Sequence, residues 1–273
     1  MVLNKFALGA IAMVTFGTIY NIVAVILPMW ASNKTVNSAY SSTISSTNFK
    51  AGLLGFCVDT EMTDGTSFDD CFYYKFGSLG DNLSVLDSEL WSKYTSDGVC
   101  KGYDNAGDVS DAEQFAYSTV LATAAGMNAV EFDKFLDKSC GMLGMGTMTT
   151  GGMSLSNGLM ALIAMVGAIT CSKGNKKWTG AGYFLVGVAA LTSILTIILW
   201  IIQSKPLGEE DDTSYKASFF LMIIATLHYL GTIPLFWKCL EHQRETMKAH
   251  DEDHTTYMEA ETPINGRAPT SLV

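Results

Sequence analysis

The sequence predicts a bundle of four membrane-spanning helices carrying one large, polar loop domain. Three observations point there. Four stretches are apolar and long enough to cross a bilayer, for which a helix needs about 20 residues. The 27 acidic residues avoid those stretches: 16 lie in residues 31–150, four in 204–216 and seven after Trp237. Only 16% of the 273 residues are charged, although the formal net charge is −10. Such segregation places the apolar and the charged parts in different solvents.

The spans expected are residues 6–30, 152–171, 181–202 and 217–237. None alternates with period two, so helices rather than barrel strands are predicted. The second span is rich in Gly, Met and Ser, and its outer end is open to an earlier start. The apolar run of the first span is longer than a signal-peptide core. Met29-Trp30-Ala31 also lacks the small residue that cleavage needs three positions before the cut, so a retained helix is expected. Residues 115–130 are weakly apolar but hold Ser118, Thr119, Thr123 and Asn128, and read as an amphipathic or buried helix of the loop domain.

Orientation follows from Lys and Arg at the span ends. Lys5, the cluster Lys173, Lys176 and Lys177 in the link 172–180, and Lys238 and Arg244 after the fourth span all fall on one side. The expected topology has residues 1–5, the link and the tail 238–273 in the cytoplasm. The loops 31–151 and 203–216 lie outside, at the plasma membrane.

The six cysteines divide accordingly. Cys57, Cys71, Cys100 and Cys140 fall in the first outer loop, where an oxidising compartment favours disulfides. Four cysteines allow three pairings; Cys57–Cys71 with Cys100–Cys140 is the most local of them. Cys171 and Cys239 lie at the expected cytoplasmic span ends and are candidates for palmitoylation. The sequons Asn33-Lys34-Thr35 and Asn82-Leu83-Ser84 both fall in the first outer loop and make Asn33 and Asn82 candidate glycan acceptors.

No enzyme, metal or cofactor signature is present. HExxH, Walker A and G-x-S-x-G are missing, and Gly152-Met153-Ser154-Leu155-Ser156 ends in Ser where a nucleophile elbow needs Gly. His250-Asp251-Glu252-Asp253-His254 reads as a solvated charge run. Acidic outer loops argue against nucleic acid as a partner. Asn21, Asn157 and His228 are the most polar residues of the spans and are expected to hydrogen-bond between helices. Ser154 and Gly158 form a small-xxx-small pair. The outer loop 31–150 carries 16 acidic and 7 basic residues, with Glu209, Glu210, Asp211 and Asp212 adding four negatives on the second loop. Lining a path between cells, they would concentrate cations; on an ordinary ectodomain they keep it soluble.

Trp30 closes the first span, and Gly52-Leu53-Leu54-Gly55-Phe56-Cys57 and then Cys71 follow. This resembles the signature of the claudin, peripheral-myelin-protein and calcium-channel gamma superfamily: a Trp, then Gly-Leu-Trp-x-x-Cys, then a second Cys. Leu54 stands where the family has Trp, and the interval between the two cysteines is longer than is usual in claudins. The resemblance covers the four spans and residues 30–71, marked by Trp30, Gly52, Leu53, Cys57 and Cys71. It implies a small outer antiparallel sheet, a strand added by the second outer loop, and a Cys57–Cys71 disulfide pinning two strands. Residues 72–150 lie outside it, an enlargement expected to be partly helical. Similar proteins with long first loops include the calcium-channel gamma subunits and the fungal eisosome tetraspan proteins. The functions implied are adhesion or barrier organisation at cell–cell junctions with self-association in cis and in trans, an auxiliary channel or receptor subunit, or membrane-domain organisation.

The tail lacks apolar periodicity and reads as disordered. It ends Thr270-Ser271-Leu272-Val273. Val273, with a hydroxyl at Ser271, fits a PDZ scaffold, which captures a C-terminal strand by β-augmentation.

Overall fold

The computed structural model describes residues 5–76, 98–170, 176–209 and 213–260. Helix α1 (Lys5–Ile26) has no charged residue after Lys5. It ends before Pro28, and Trp30 follows it at a bend, one position before strand β1 (Ala31–Asn33). Trp30 thus stands beyond the helix, where a terminal position was expected. Strands β2 (Ile44–Ala51), β3 (Gly55–Met62) and β4 (Ser67–Tyr73) follow as an antiparallel meander.

Three helices then form a cap. They are α2 (Val99–Val109), α3 (Asp111–Ala125) and α4 (Ala129–Cys140). Long helices α5 (Met142–Thr170) and α6 (Lys176–Gln203) come next. A 3-10 turn (Lys205–Glu209), strand β5 (Ser214–Tyr215) and helix α7 (Ala217–Ala260) complete the described chain. Four stretches are long and apolar enough to cross a membrane, which fits a multi-pass membrane protein: Lys5–Ile26, Met142–Ala168, Gly180–Gln203 and Ala217–Leu235. The second begins ten residues before the expected 152. The Thr and Gly of residues 142–151 lower the hydropathy there, yet Thr150 bonds Thr196 of α6 and Gly146 lies against Leu199. Residues 115–130 are not a span but most of α3 and the start of α4.

The four long helices form a ring: α1 packs on α7 and α5, and α6 packs on α5 and α7. The five strands run in the order β4-β3-β2-β1-β5, all antiparallel. One sheet face is covered. Phe49, Phe56, Val58, Phe68 and Phe72 are buried with Leu121, Phe132, Phe135 and Leu136 of the cap. The ring of Phe132 sits 5.6 Å from that of Phe56 and 5.9 Å from that of Phe49, both edge-on, an arrangement aromatic pairs prefer.

Local chemistry sets the cap's breaks. Ser110 accepts from the Glu113 amide at the start of α3, and Asn128 accepts from the Val130 and Glu131 amides at the start of α4. Between them Gly126 takes φ 66°, the left-handed turn that stops α3. The last carbonyls of α3 find partners in the sheet: Thr60 Oγ1 donates to Ala124 O at 2.7 Å and Thr47 Oγ1 to Ala125 O at 3.0 Å. Strand threonines thereby satisfy groups that a helix end leaves open.

The tail departs from expectation, because α7 stays helical to Ala260. Residues 238–260 contain neither Pro nor Gly and include four Glu and two each of Lys, Met and Ala, all strong helix formers. A helix that projects from a bundle into water needs no apolar stripe, so the missing periodicity was no evidence of disorder. Pro263, Gly266 and Pro269 come after it.

Candidate functional site: the sheet and its anchorage on the bundle

The signature residues converge where the sheet meets the four helices. Trp30 is fully buried. Its indole Nε1 donates to Ala24 O at 2.6 Å, folding the chain back onto the end of α1. Its ring lies 5.4 Å from Trp200 of α6 and 6.1 Å from Phe219 of α7. Its backbone bonds β2 on one side and the end of β5 on the other: Trp30 N–H donates to Ala51 O, and Lys216 N–H donates to Trp30 O. One residue thus joins α1, α6, α7 and two strands. Trp200 was not singled out in the sequence, though an indole near the end of a span is a recognisable signal.

The segment Gly52-Leu53-Leu54-Gly55 makes the β2–β3 turn, closed by Gly52 N–H donating to Gly55 O. Both glycines are required by backbone approach. A Cβ on Gly52 would stand 2.6 Å from Pro28 Cα, and one on Gly55 2.1 Å from Phe72 O. Leu53 is buried and its Cδ1 fills the space over Gly151 of α5, so it docks the sheet on the bundle. Leu54 lines a cleft with Ile26, Leu27 and Pro28, whose wall includes Cys57 and Cys71.

The four loop cysteines form two pairs at bonding distance. Cys57 and Cys71 are direct cross-strand partners on β3 and β4. Cys100 at the start of α2 joins Cys140 at the end of α4, which closes the cap immediately before α5 begins. Within the cap, Ser118 and Tyr103 both donate to Asp133 Oδ1, tying α2, α3 and α4 together. Lys75 donates to Cys140 O at 2.9 Å and links the end of β4 to the same corner.

The other sheet face is open and polar. Strand alternation puts Ser46, Asn48 and Lys50 on it from β2, Cys57, Asp59 and Glu61 from β3, and Ser67, Asp69 and Cys71 from β4. Asp59 stands opposite Asp69 in register, flanked by Asn48. Asp70 points to the covered face between Phe68 and Phe72. Burial, then the charge of Asp69, raises its pKa above the ordinary carboxylate value. Burial likewise raises Asp104 on α2, with Lys75 opposing and Asp108 adding. In the β3–β4 turn, hydrogen bonds from the Thr66 side chain and amide lower Asp64.

The remaining candidate residues scatter. Asn33, the last residue of β1, is buried, 1% exposed, with Oδ1 accepting from the Thr35 amide. That sequon therefore offers no surface amide for a glycan in the folded chain. Asn82, Cys171, Ser271 and Val273 lie outside the described residues, as does the side chain of Cys239. Of the polar span residues, Asn21 bonds between helices: its Nδ2 lies 2.7 Å from Ser154 Oγ on α5 and 3.3 Å from Tyr229 Oη on α7. Asn157 and His228 instead bond the Met153 and Ile224 carbonyls of their own helices. Gly158 does allow close approach, with Tyr229 Oη at 2.3 Å from where its Cβ would be. Among the described residues no group of His, Cys, Asp and Glu is placed to hold a metal ion. Compared with protein-family models and with curated proteins, the chain matches none.

Proposed function

We propose that this chain is a non-enzymatic, claudin-like tetraspan protein that organises contacts between cells through its outer sheet. One observation carries the reading. The fifth strand of the sheet comes from the loop between the third and fourth spans, while the neighbouring strands β3 and β4 are joined by Cys57–Cys71. That is the arrangement the Trp30…Gly52-Leu53…Cys57…Cys71 resemblance implies. In this reading the termini are cytoplasmic, the sheet and cap face outward at the plasma membrane, and Ser271 and Val273 recruit a PDZ scaffold. Palmitoyl groups on Cys171 and Cys239 and a glycan on Asn82 belong to the same proposal.

The open sheet face is the working surface. Its covered face is taken up by the cap, so Asp59, Glu61 and Asp69 remain for solvent, cations or a neighbour. The test mixes suspension cells expressing two differently coloured versions and scores enrichment at their contacts. Accumulation on both sides of a contact is expected. A uniform membrane signal with full surface expression overturns homophilic pairing in trans.

A second reading, an auxiliary subunit of a channel or receptor, draws on the cap. A disulfide-closed helical module over the sheet is a rigid surface for a larger partner. Co-purification of a channel with the intact chain, lost when the cap's outer faces are substituted, would favour it. Fungal-type membrane-domain organisation predicts static patches without any cell contact.

A further inference from the structure

Two polar side chains stand on outward faces of the spans at the same depth. His228 of α7 sits in the groove against α1, its Cβ over Gly17 and its ring 5.4 Å from Tyr20 and 6.4 Å from Phe16. Its Nδ1 lies 2.8 Å from Ile224 O. A carbonyl only accepts, so the neutral imidazole holds its proton on Nδ1 and leaves Nε2 a bare acceptor. Among the described residues the Nδ1 contact is the one hydrogen bond of this ring, and a hydrocarbon phase supplies no donor to Nε2. An unmet acceptor at mid-span is costly and calls for a partner.

The complementary group is on α5. Met145, Thr149, Gly152, Ser156 and Ile163 are all exposed and recur at helical spacing on its outward face. Space beside Gly152 is open, and Ser156 Oγ bonds only the Met153 carbonyl of its own helix. Depth is fixed by the network inside the bundle. Ser154 and Gly158 bracket Ser156 and lie level with Asn21 and Tyr229, and Tyr229 adjoins His228. The α5 face and the α1–α7 groove of one copy point in different directions, because α5 and α7 are diagonal in the ring.

We infer that the α5 face of one copy docks in the α1–α7 groove of a second copy, with the Ser156 hydroxyl donating to His228 Nε2 and Gly152 admitting close approach. The occupant follows from the match in depth, in donor to acceptor, and in small surface to aromatic-walled groove. Such an interface is heterologous, so copies add head to tail into rows within one membrane. The inference rests on the membrane-spanning reading and on self-association in cis. It does not need pairing across a cell contact.

The experiment reconstitutes the full chain, labelled with donor or acceptor dye, in phosphatidylcholine vesicles and follows energy transfer on dilution with lipid. Wild type should associate. His228→Leu and Gly152→Leu should each weaken association about tenfold or more. Gly152→Leu meets open space within the monomer, and protection of all four loop cysteines from thiol reagents checks that each variant is folded. The mixture is decisive. His228→Leu retains its α5 face and Gly152→Leu retains its groove, so together they should recover one-to-one pairs that neither forms alone. Wild type showing only chance proximity, either variant associating like wild type, or a mixture no better than its components overturns the inference. Failure of cell-contact enrichment with intact transfer in vesicles would count against the trans reading alone.

Discussion

Trp30 and Trp200 meet at 5.4 Å, both fully buried, where the end of α1 and the end of α6 converge beneath the sheet. This contact and the Trp30 Nε1 bond to Ala24 O fix the angle at which the loop domain leaves the bundle. Trp30→Ala should cost about 3–5 kcal/mol. Trp30→Phe, which keeps most of the packing but loses the hydrogen bond, should cost clearly less. Thermal unfolding of the purified chain in detergent checks the order; equal stability of Trp30→Ala and wild type would remove Trp30 as the anchor.

Glycine substitutions should separate close approach from backbone conformation. Gly55→Ala drives a methyl into Phe72 O and should cost about 3 kcal/mol, with loss of β3–β4 pairing. Gly65 has φ 87° but open space around it, so Gly65→Ala should cost only about 1 kcal/mol. Trypsin resistance of the loop domain reads the difference.

The two disulfides should fail differently. Cys57→Ser with Cys71→Ser opens a loop of sequence separation 14, and Cys100→Ser with Cys140→Ser one of 40. Chain entropy gives about 3 and about 4 kcal/mol respectively. The second pair should loosen the cap while β2 and β3 stay protected in hydrogen exchange. The first should expose β4 amides.

The polar junction inside the bundle should show modest coupling. Tyr229→Phe and Ser154→Ala each remove a partner near Asn21, and a double-mutant cycle should return about 0.6 kcal/mol, up to about 1.7. Additive losses would mean that Asn21 does not connect the two helices.

Asp70 sets an acid-side response. Its folded pKa is raised, so the folded state holds the proton more tightly than the unfolded chain. This carboxyl therefore contributes stability at acid pH that is lost as pH rises through the carboxylate range above 3.8. Asp70→Asn should raise the melting temperature at pH 7 and should flatten that slope. An unchanged slope would show that Asp70 is not desolvated.

Much of this was legible in the residues. Long apolar runs and segregated acids marked the four spans, because the bilayer imposes length and composition together. The helical nature of residues 115–130 was also visible. Its break was missed, although Gly126 and Asn128, a stop and a start two positions apart, carry it. The early start of α5 was hidden, because Gly and Thr in residues 142–151 lower hydropathy yet pack well on neighbouring helices. The covered sheet face was not readable, since pairing Phe49 and Phe56 with Phe132 and Phe135 depends on contacts distant in sequence. The burial of Asn33 belongs to the same class: a three-residue motif carries no information about the strands on either side of it.

Strand β5 gives the chain an order of assembly. Residues 214–215 pair with β1, yet they are synthesised only after two of the three spans that follow the cap. Until then β1 keeps one edge unpaired, and the meander β2–β4 can form with its disulfide while the sheet remains unsealed. A nascent chain stalled after α6 thus displays an open strand edge. Pairing of two residues on the last loop then seals the remaining edge of β1, so the sheet is completed only by chain that follows the third span.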